Sequence, residues 1–220
     1  MFKKKMNDVH APSSESSAPD RHQAVRARLV AAAESTVAQH GLAALKARDL
    51  ATQAGCALGA IYTAFADMDA LILAVNARTQ AALDAELAAA TAPHARASPA
   101  SLLCALADAY LDYAAANRGL WDALFAHRMA PGHTAPDWFW DQQAALFARV
   151  ERPVAELCPG LPDDELRLAA RSVFSAVHGV VSLGLDQRVA PIDMRGLRME
   201  LHRIVRALAA GLPSTTRSRK

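Results

Sequence analysis

The chain has 220 residues, of which 52% are hydrophobic and 21% charged, with a formal net charge of +2. That balance suffices for a buried core and excludes a disordered or polyelectrolyte chain. No uninterrupted apolar run has the length of a membrane span, since residues 177–185 carry His178 and two glycines, and no apolar stretch follows Lys3, Lys4 and Lys5 as a secretion signal requires.

Alanine dominates with 51 residues, while Gly (10) and Pro (11) are few and aromatics make up 5%. Alanine is the strongest helix former, and the β-branched and aromatic residues that strands favour are scarce, so the expected fold is all-α. Residues 1–20, rich in Ser and Pro, are expected to form a disordered tail. The first helix covers residues 21–40 with Val25, Leu29, Ala33 and Val37 on one face, and Gly41 ends it. Two short helices follow at 47–54 and 58–64. Asp67 caps a longer helix reaching residue 90, and Ser98 caps another reaching residue 117. Further helices are expected over 120–128, 137–157, 163–185 and 193–210, giving about nine, before a disordered basic end at 213–220. The expected organisation is a DNA-binding unit at 21–66 and a larger effector and dimerisation unit at 67–212.

The basic excess sits in the first third. Residues 1–66 hold eight Lys/Arg against five Asp/Glu, whereas residues 67–220 hold sixteen against seventeen. Within that first third, residues 45–65 read as two short helices around a turn that holds Gly55, the helix-turn-helix geometry. Ala51 permits the close crossing of the helices, and Leu45, Leu50, Cys56, Ile61 and Phe65 supply the small core that joins them.

The stretch resembles the tetracycline-repressor (TetR) family of bacterial transcriptional regulators. The matching residues are Arg26, Leu29, Ala32, Ala33, Gly41, the run Arg48-Asp49-Leu50-Ala51, Ala54-Gly55-Cys56-Ala57, Gly59, Tyr62 and Phe65, with Leu71 beyond. Three positions depart from the family pattern: Lys46 and Ala57 replace the usual Ser or Thr, which removes a capping hydroxyl at each, and Met68 replaces a Lys, which removes a backbone-contacting donor.

The resemblance implies that the second short helix lies in the major groove of a palindromic operator, bound by a homodimer. Ile61 and Phe65 then face inward, leaving Ala57, Leu58, Gly59, Ala60, Tyr62 and Thr63 towards DNA. Arg26, Lys46 and Arg48 supply phosphate-binding charge. No Arg, Asn or Gln lies on that face, so readout is expected to rest on thymine methyls and DNA shape. Lys3, Lys4 and Lys5 are a candidate minor-groove arm.

The resemblance also implies a small-molecule effector in the second unit, where large aromatic side chains concentrate. The expected pocket residues are Tyr110, Tyr113, Trp121, Phe125, Trp138, Phe147, Phe174 and His178. For the dimer, Ser175, Gly179 and Ser182 form a small-residue face on one of the last two helices, with Leu201, Val205 and Leu208 on the other.

Rival functions are an enzyme and a helical ligand-binding or adaptor protein with a degenerate DNA-binding surface. The eight histidines form no His-Glu-x-x-His or similar motif, and His127 and His133 flank a loop at a spacing that matches no known site. Cys56, Cys104 and Cys158, about fifty residues apart, suit neither a disulfide framework nor a zinc site. No metal or cofactor is therefore expected, and the chain reads as a soluble, cytoplasmic regulator.

Overall fold

The computed structural model describes residues 18–94, 96–187 and 191–217, and among these it contains nine α-helices and no strand. The candidate arm at Lys3, Lys4 and Lys5 lies outside the described residues. The helices are α1 (Ala18–His40), α2 (Ala47–Gln53), α3 (Gly59–Ala64), α4 (Met68–Thr91), α5 (Pro99–Ala116), α6 (Arg118–Ala126), α7 (Asp137–Leu157), α8 (Asp163–Asp186) and α9 (Met194–Arg217). Two single turns of 3-10 helix, Leu42–Ala44 and Ala92–His94, follow α1 and α4.

Local chemistry sets most of these boundaries. Gly41 adopts φ +76°, which stops α1. Asp67 accepts a hydrogen bond of 2.7 Å from the Ala70 amide and starts α4, while Ser98 accepts one of 3.3 Å from Ser101 and starts α5. Two expected ends are corrected: α1 begins at residue 18, inside the expected tail, and α9 continues through Arg217, inside the expected basic end.

Two hydrophobic clusters organise the chain. The smaller joins Leu29, Val30 and Ala33 of α1 to Leu50, Ala51, Ile61, Ala64 and Phe65, and includes Leu71 and Val75 of α4. The larger draws on α4 through Leu83 and Leu87 and on α5, α7, α8 and α9. One uninterrupted helix, α4, therefore belongs to both cores. A second connection is the approach of α1 to α6, where a Cβ at Gly119 would sit 2.8 Å from the Ala38 carbonyl oxygen and closer still to that of Val37.

By length and composition α8 meets the measure for a membrane-crossing helix, with a mean hydropathy of 1.4 over 18 residues. The uninterrupted runs in α8 remain short, as expected, because His178, Gly179 and Gly184 break them; an average over 18 residues tolerates those breaks. In this fold α8 packs between α7 and α9, yet only 22% of that window is buried within the chain.

Candidate DNA-binding and ligand sites

The turn between α2 and α3 is built by Gly55 at φ +61°. The Cys56 amide bonds back to the Ala51 carbonyl at 3.0 Å and the Gly55 amide to Thr52 at 3.2 Å, the Schellman pattern that ends a helix. Ile61 and Phe65 are buried and hold α3 on the smaller core. This leaves Leu58 42% and Tyr62 56% exposed, with Ala57, Gly59 and Thr63 also exposed and Ala60 half-buried. Lys46 and Arg48 are exposed at the start of α2. Neither Lys46 before α2 nor Leu58 before α3 provides a side-chain cap, as their chemistry dictates.

Arg26 occupies a different place from the phosphate-facing one expected. It donates a 2.7 Å hydrogen bond to the Ala64 carbonyl at the end of α3 and lies over the Phe65 ring. The physical reason is that the last carbonyls of a helix have no donor within it. Two residues not singled out in the sequence act alike: Arg28 donates to the Ala54 carbonyl at 2.8 Å, and His22 Nε2 lies 3.2 Å from the Thr63 carbonyl oxygen. Their signal in the sequence is the row of basic side chains on the exposed side of α1.

The second site is a cavity of about 140 Å³ lined by α4, α5, α6, α7 and α8 and partly open to the surface. Of the expected residues, Tyr110, Phe125, Phe147 and Phe174 line it. Leu83, Leu87, Leu103, Leu106 and Val173 supply aliphatic walls, and Gln80 and Gln143 are its amides. No carboxylate, Lys or Arg lines the wall. Gln80 is buried, and its Oε1 has no hydrogen-bond partner. Neither glutamine is expected from aromatic content, although Asn76 and Gln80 interrupt the buried stripe of α4 at helical spacing.

The other expected pocket residues are placed elsewhere. His178 and Trp121 pack behind the cavity wall: the Tyr110 hydroxyl and His178 Nδ1 share a 2.8 Å hydrogen bond, and Trp121 and Phe125 both pack on the imidazole. Burial pushes the Tyr110 phenol up and His178 down, with the Asp122 charge offsetting part of the latter. Tyr113 points to the opposite side of α5, donating to the Thr79 carbonyl at 3.1 Å, and burial with the charges of Glu34 and Glu86 raises its phenol to about 12. Trp138 is 47% exposed at the start of α7, on the outer surface. Both departures follow from helix rotation, which turns neighbouring aromatics to different faces.

The expected interface residues also divide. Ser175 is exposed and Gly179 and Ser182 are partly exposed on α8, in a stripe continued by Leu168 and Leu183, while nothing lies within 4 Å of a Cβ at Gly179. Leu208 on α9 is partly exposed. Leu201 and Val205 are corrected: both are fully buried in the larger core of their own chain. The outward residues of α9 instead include Arg195, Met199 and Arg203.

Comparison with known proteins follows this division. Residues 29–75 match the family model described as bacterial regulatory proteins of the tetR family. Residues 103–211 match the tetracyclin repressor-like C-terminal domain. Among curated proteins no match is found. A Rhodococcus sp. RHA1 protein of unknown function is similar in structure, with 26% identity, a TM-score of 0.69 and coverage of 90% of this chain and 100% of its own. RolR in complex with resorcinol gives 17% identity and a TM-score of 0.61, covering 89% and 96%. FadR from Bacillus subtilis in complex with stearoyl-CoA gives 15% and 0.60, covering 86% and 97%.

Proposed function

Because this chain belongs to the tetracycline-repressor family of bacterial regulatory proteins, we propose that it is a repressor that binds a palindromic operator as a homodimer and is released by a small apolar effector. The observation that carries this reading is the double membership of α4. Its first turns pack on the helix-turn-helix core and its later turns wall the cavity, so a molecule in the cavity acts on the helix that positions α3. Such a molecule shifts DNA affinity only by its differential affinity for the two arrangements of the dimer.

The lining supports a particular kind of effector. A cavity of about 140 Å³ is close to the roughly 150 Å³ that accommodates a benzene-sized molecule. Walls without full charges favour an uncharged molecule, and the orphan Gln80 Oε1 favours one that carries an O–H or N–H donor. Resorcinol, held by one structural neighbour, has that size and chemistry; the stearoyl chain of the other is far longer.

For the dimer, support comes from the outer stripe of α8, where Leu168 and Leu183 are more than half exposed around Gly179. An apolar face of that kind calls for a partner, and small residues let a second helix approach. For DNA, support comes from the exposed face of α3 with Lys46 and Arg48 beside it. The uncapped starts of α2 and α3 favour the second reading, a ligand-binding protein whose DNA surface has degenerated.

The test is binding of the purified protein to DNA flanking its own gene across a salt series. A palindromic footprint with a steep negative salt slope, released by a hydroxylated single-ring compound, supports the repressor. A folded dimer that takes the ring compound but leaves no footprint supports the second reading.

A further inference from the structure

The loop between α6 and α7 brings histidines to the start of α4, and neither the DNA surface nor the cavity uses them. Asp67 caps α4 and Asp69 lies in its first turn. His127 follows α6, and Gly132 at φ +85° turns the chain so that His133 returns over α4. His133 Nδ1 lies 3.4 Å from Asp67 Oδ2 and 3.6 Å from Asp69 Oδ2, and the three atoms all lie within 4.8 Å of one another.

We propose that Asp67, Asp69 and His133 form a binding site for a divalent first-row transition-metal ion of the zinc type. The separations are long for charge-assisted hydrogen bonds, which run to about 2.7–2.9 Å. The two separations from His133 match the edge of a coordination tetrahedron, since ligands about 2.0–2.2 Å from zinc stand roughly 3.3–3.6 Å apart. Both carboxylates are oriented by other bonds, as metal ligands are. Asp67 Oδ1 accepts from the Ala70 amide at 2.7 Å, and Asp69 Oδ2 accepts from the Ala130 amide at 3.0 Å.

A second observation points to the same place. The His127 side chain is only 8% exposed, and its buried Nε2 has no hydrogen-bond partner while facing Asp69 Oδ1 at 3.5 Å. A buried imidazole nitrogen without a partner is costly, and a cation beside Asp69 supplies one. The competing positive charge, Arg26, borders the same surface depression but is held by the Ala64 carbonyl and the Phe65 ring. One imidazole with two carboxylates suits zinc, nickel or manganese better than calcium, which takes oxygen alone. A bound ion ties the α6–α7 loop to the residues directly after α3.

The experiment titrates chelator-treated, untagged full-length protein with Zn²⁺ by calorimetry, with Mg²⁺ as comparison. One Zn²⁺ per chain is expected, with weak or absent Mg²⁺ binding. His133 is about half exposed, so His133→Ala leaves the fold intact and weakens Zn²⁺ by about tenfold or more. His94→Ala, at an exposed histidine remote from the cluster, leaves affinity unchanged. Co²⁺ serves as a second probe: the visible absorption of a four-coordinate ion forms with the native chain and is lost in His133→Ala. Absence of saturable binding, or equal affinity in the native and His133→Ala proteins, overturns the proposal.

Discussion

Arg26 donates a 2.7 Å hydrogen bond to the Ala64 carbonyl while its guanidinium lies 4.0 Å above the centre of the Phe65 ring. One side chain of α1 thus closes the open end of α3 and covers the aromatic residue that seats it. The bond to a charged donor and the cation–π contact together set the loss in Arg26→Ala at about 2–4 kcal/mol, read as a lower Tm. Lys cannot donate and stack in the same geometry, so Arg26→Lys recovers only part of it. A residue that binds phosphate would flatten the salt slope of DNA binding by about 0.9 when removed. Arg26→Ala is expected to weaken DNA binding with the slope unchanged, because the lost element is the seating of α3.

Gln80 gives a prediction in which stability and recognition part company. Its Oε1 is buried without a partner in a largely apolar wall, a state that costs about 1–3 kcal/mol. Gln80→Leu removes that cost and is expected to raise the Tm of the ligand-free protein. The same variant is expected to lose most of its response to a hydroxylated ring while keeping the response to a methylated ring of equal size. Thermal shift with a matched pair such as phenol and toluene measures both effects.

Features set by neighbouring residues were legible in the sequence. Gly41, Asp67 and Ser98 mark helix boundaries through backbone freedom or a capping oxygen, and the structure uses all three so. The inward placement of Ile61 and Phe65 followed from the short helix and its turn. Helix rotation was not legible to the same degree. Tyr110 and Tyr113 are one turn apart with equal apolar character, yet the first lines the cavity and the second bonds to Thr79 on the other side. Leu201 and Val205 show the same limit, since an i, i+4 apolar pair reads alike whether it faces its own core or a second chain. Arg26 shows another: a cation in a basic segment suits phosphate and helix carbonyl equally, and only the position of α3 decides. His133 and Asp67 are 66 positions apart in sequence, so no local spacing brings them together.

His178 makes stability depend on pH. Burial holds its pKa below the ordinary imidazole value, partly offset by Asp122, so the unfolded chain takes up the proton first as pH falls. Its contribution to stability is therefore present above about pH 6.5 and is lost as pH drops through the lower folded value. The expected result is a lower Tm at pH 5.5 than at pH 7.5. His178→Gln, which keeps an acceptor for the Tyr110 hydroxyl but cannot titrate, is expected to show a smaller drop between the same two conditions.

The outer stripe of α8 yields the prediction for assembly. Leu183 is 54% exposed and Leu168 65% exposed in the single chain, on the same side as Gly179, and the proposed dimer buries them against a second copy. Leu183→Glu places a charge in that interface and leaves the chain's own core untouched, since the side chain already faces out. The native protein is expected to elute with the mass of two chains and the variant with that of one 23.4 kDa chain, by light scattering on a sizing column. Circular dichroism is expected to show equal helix content in both. DNA affinity then falls with dimerisation, because a single α3 reads only a half-site.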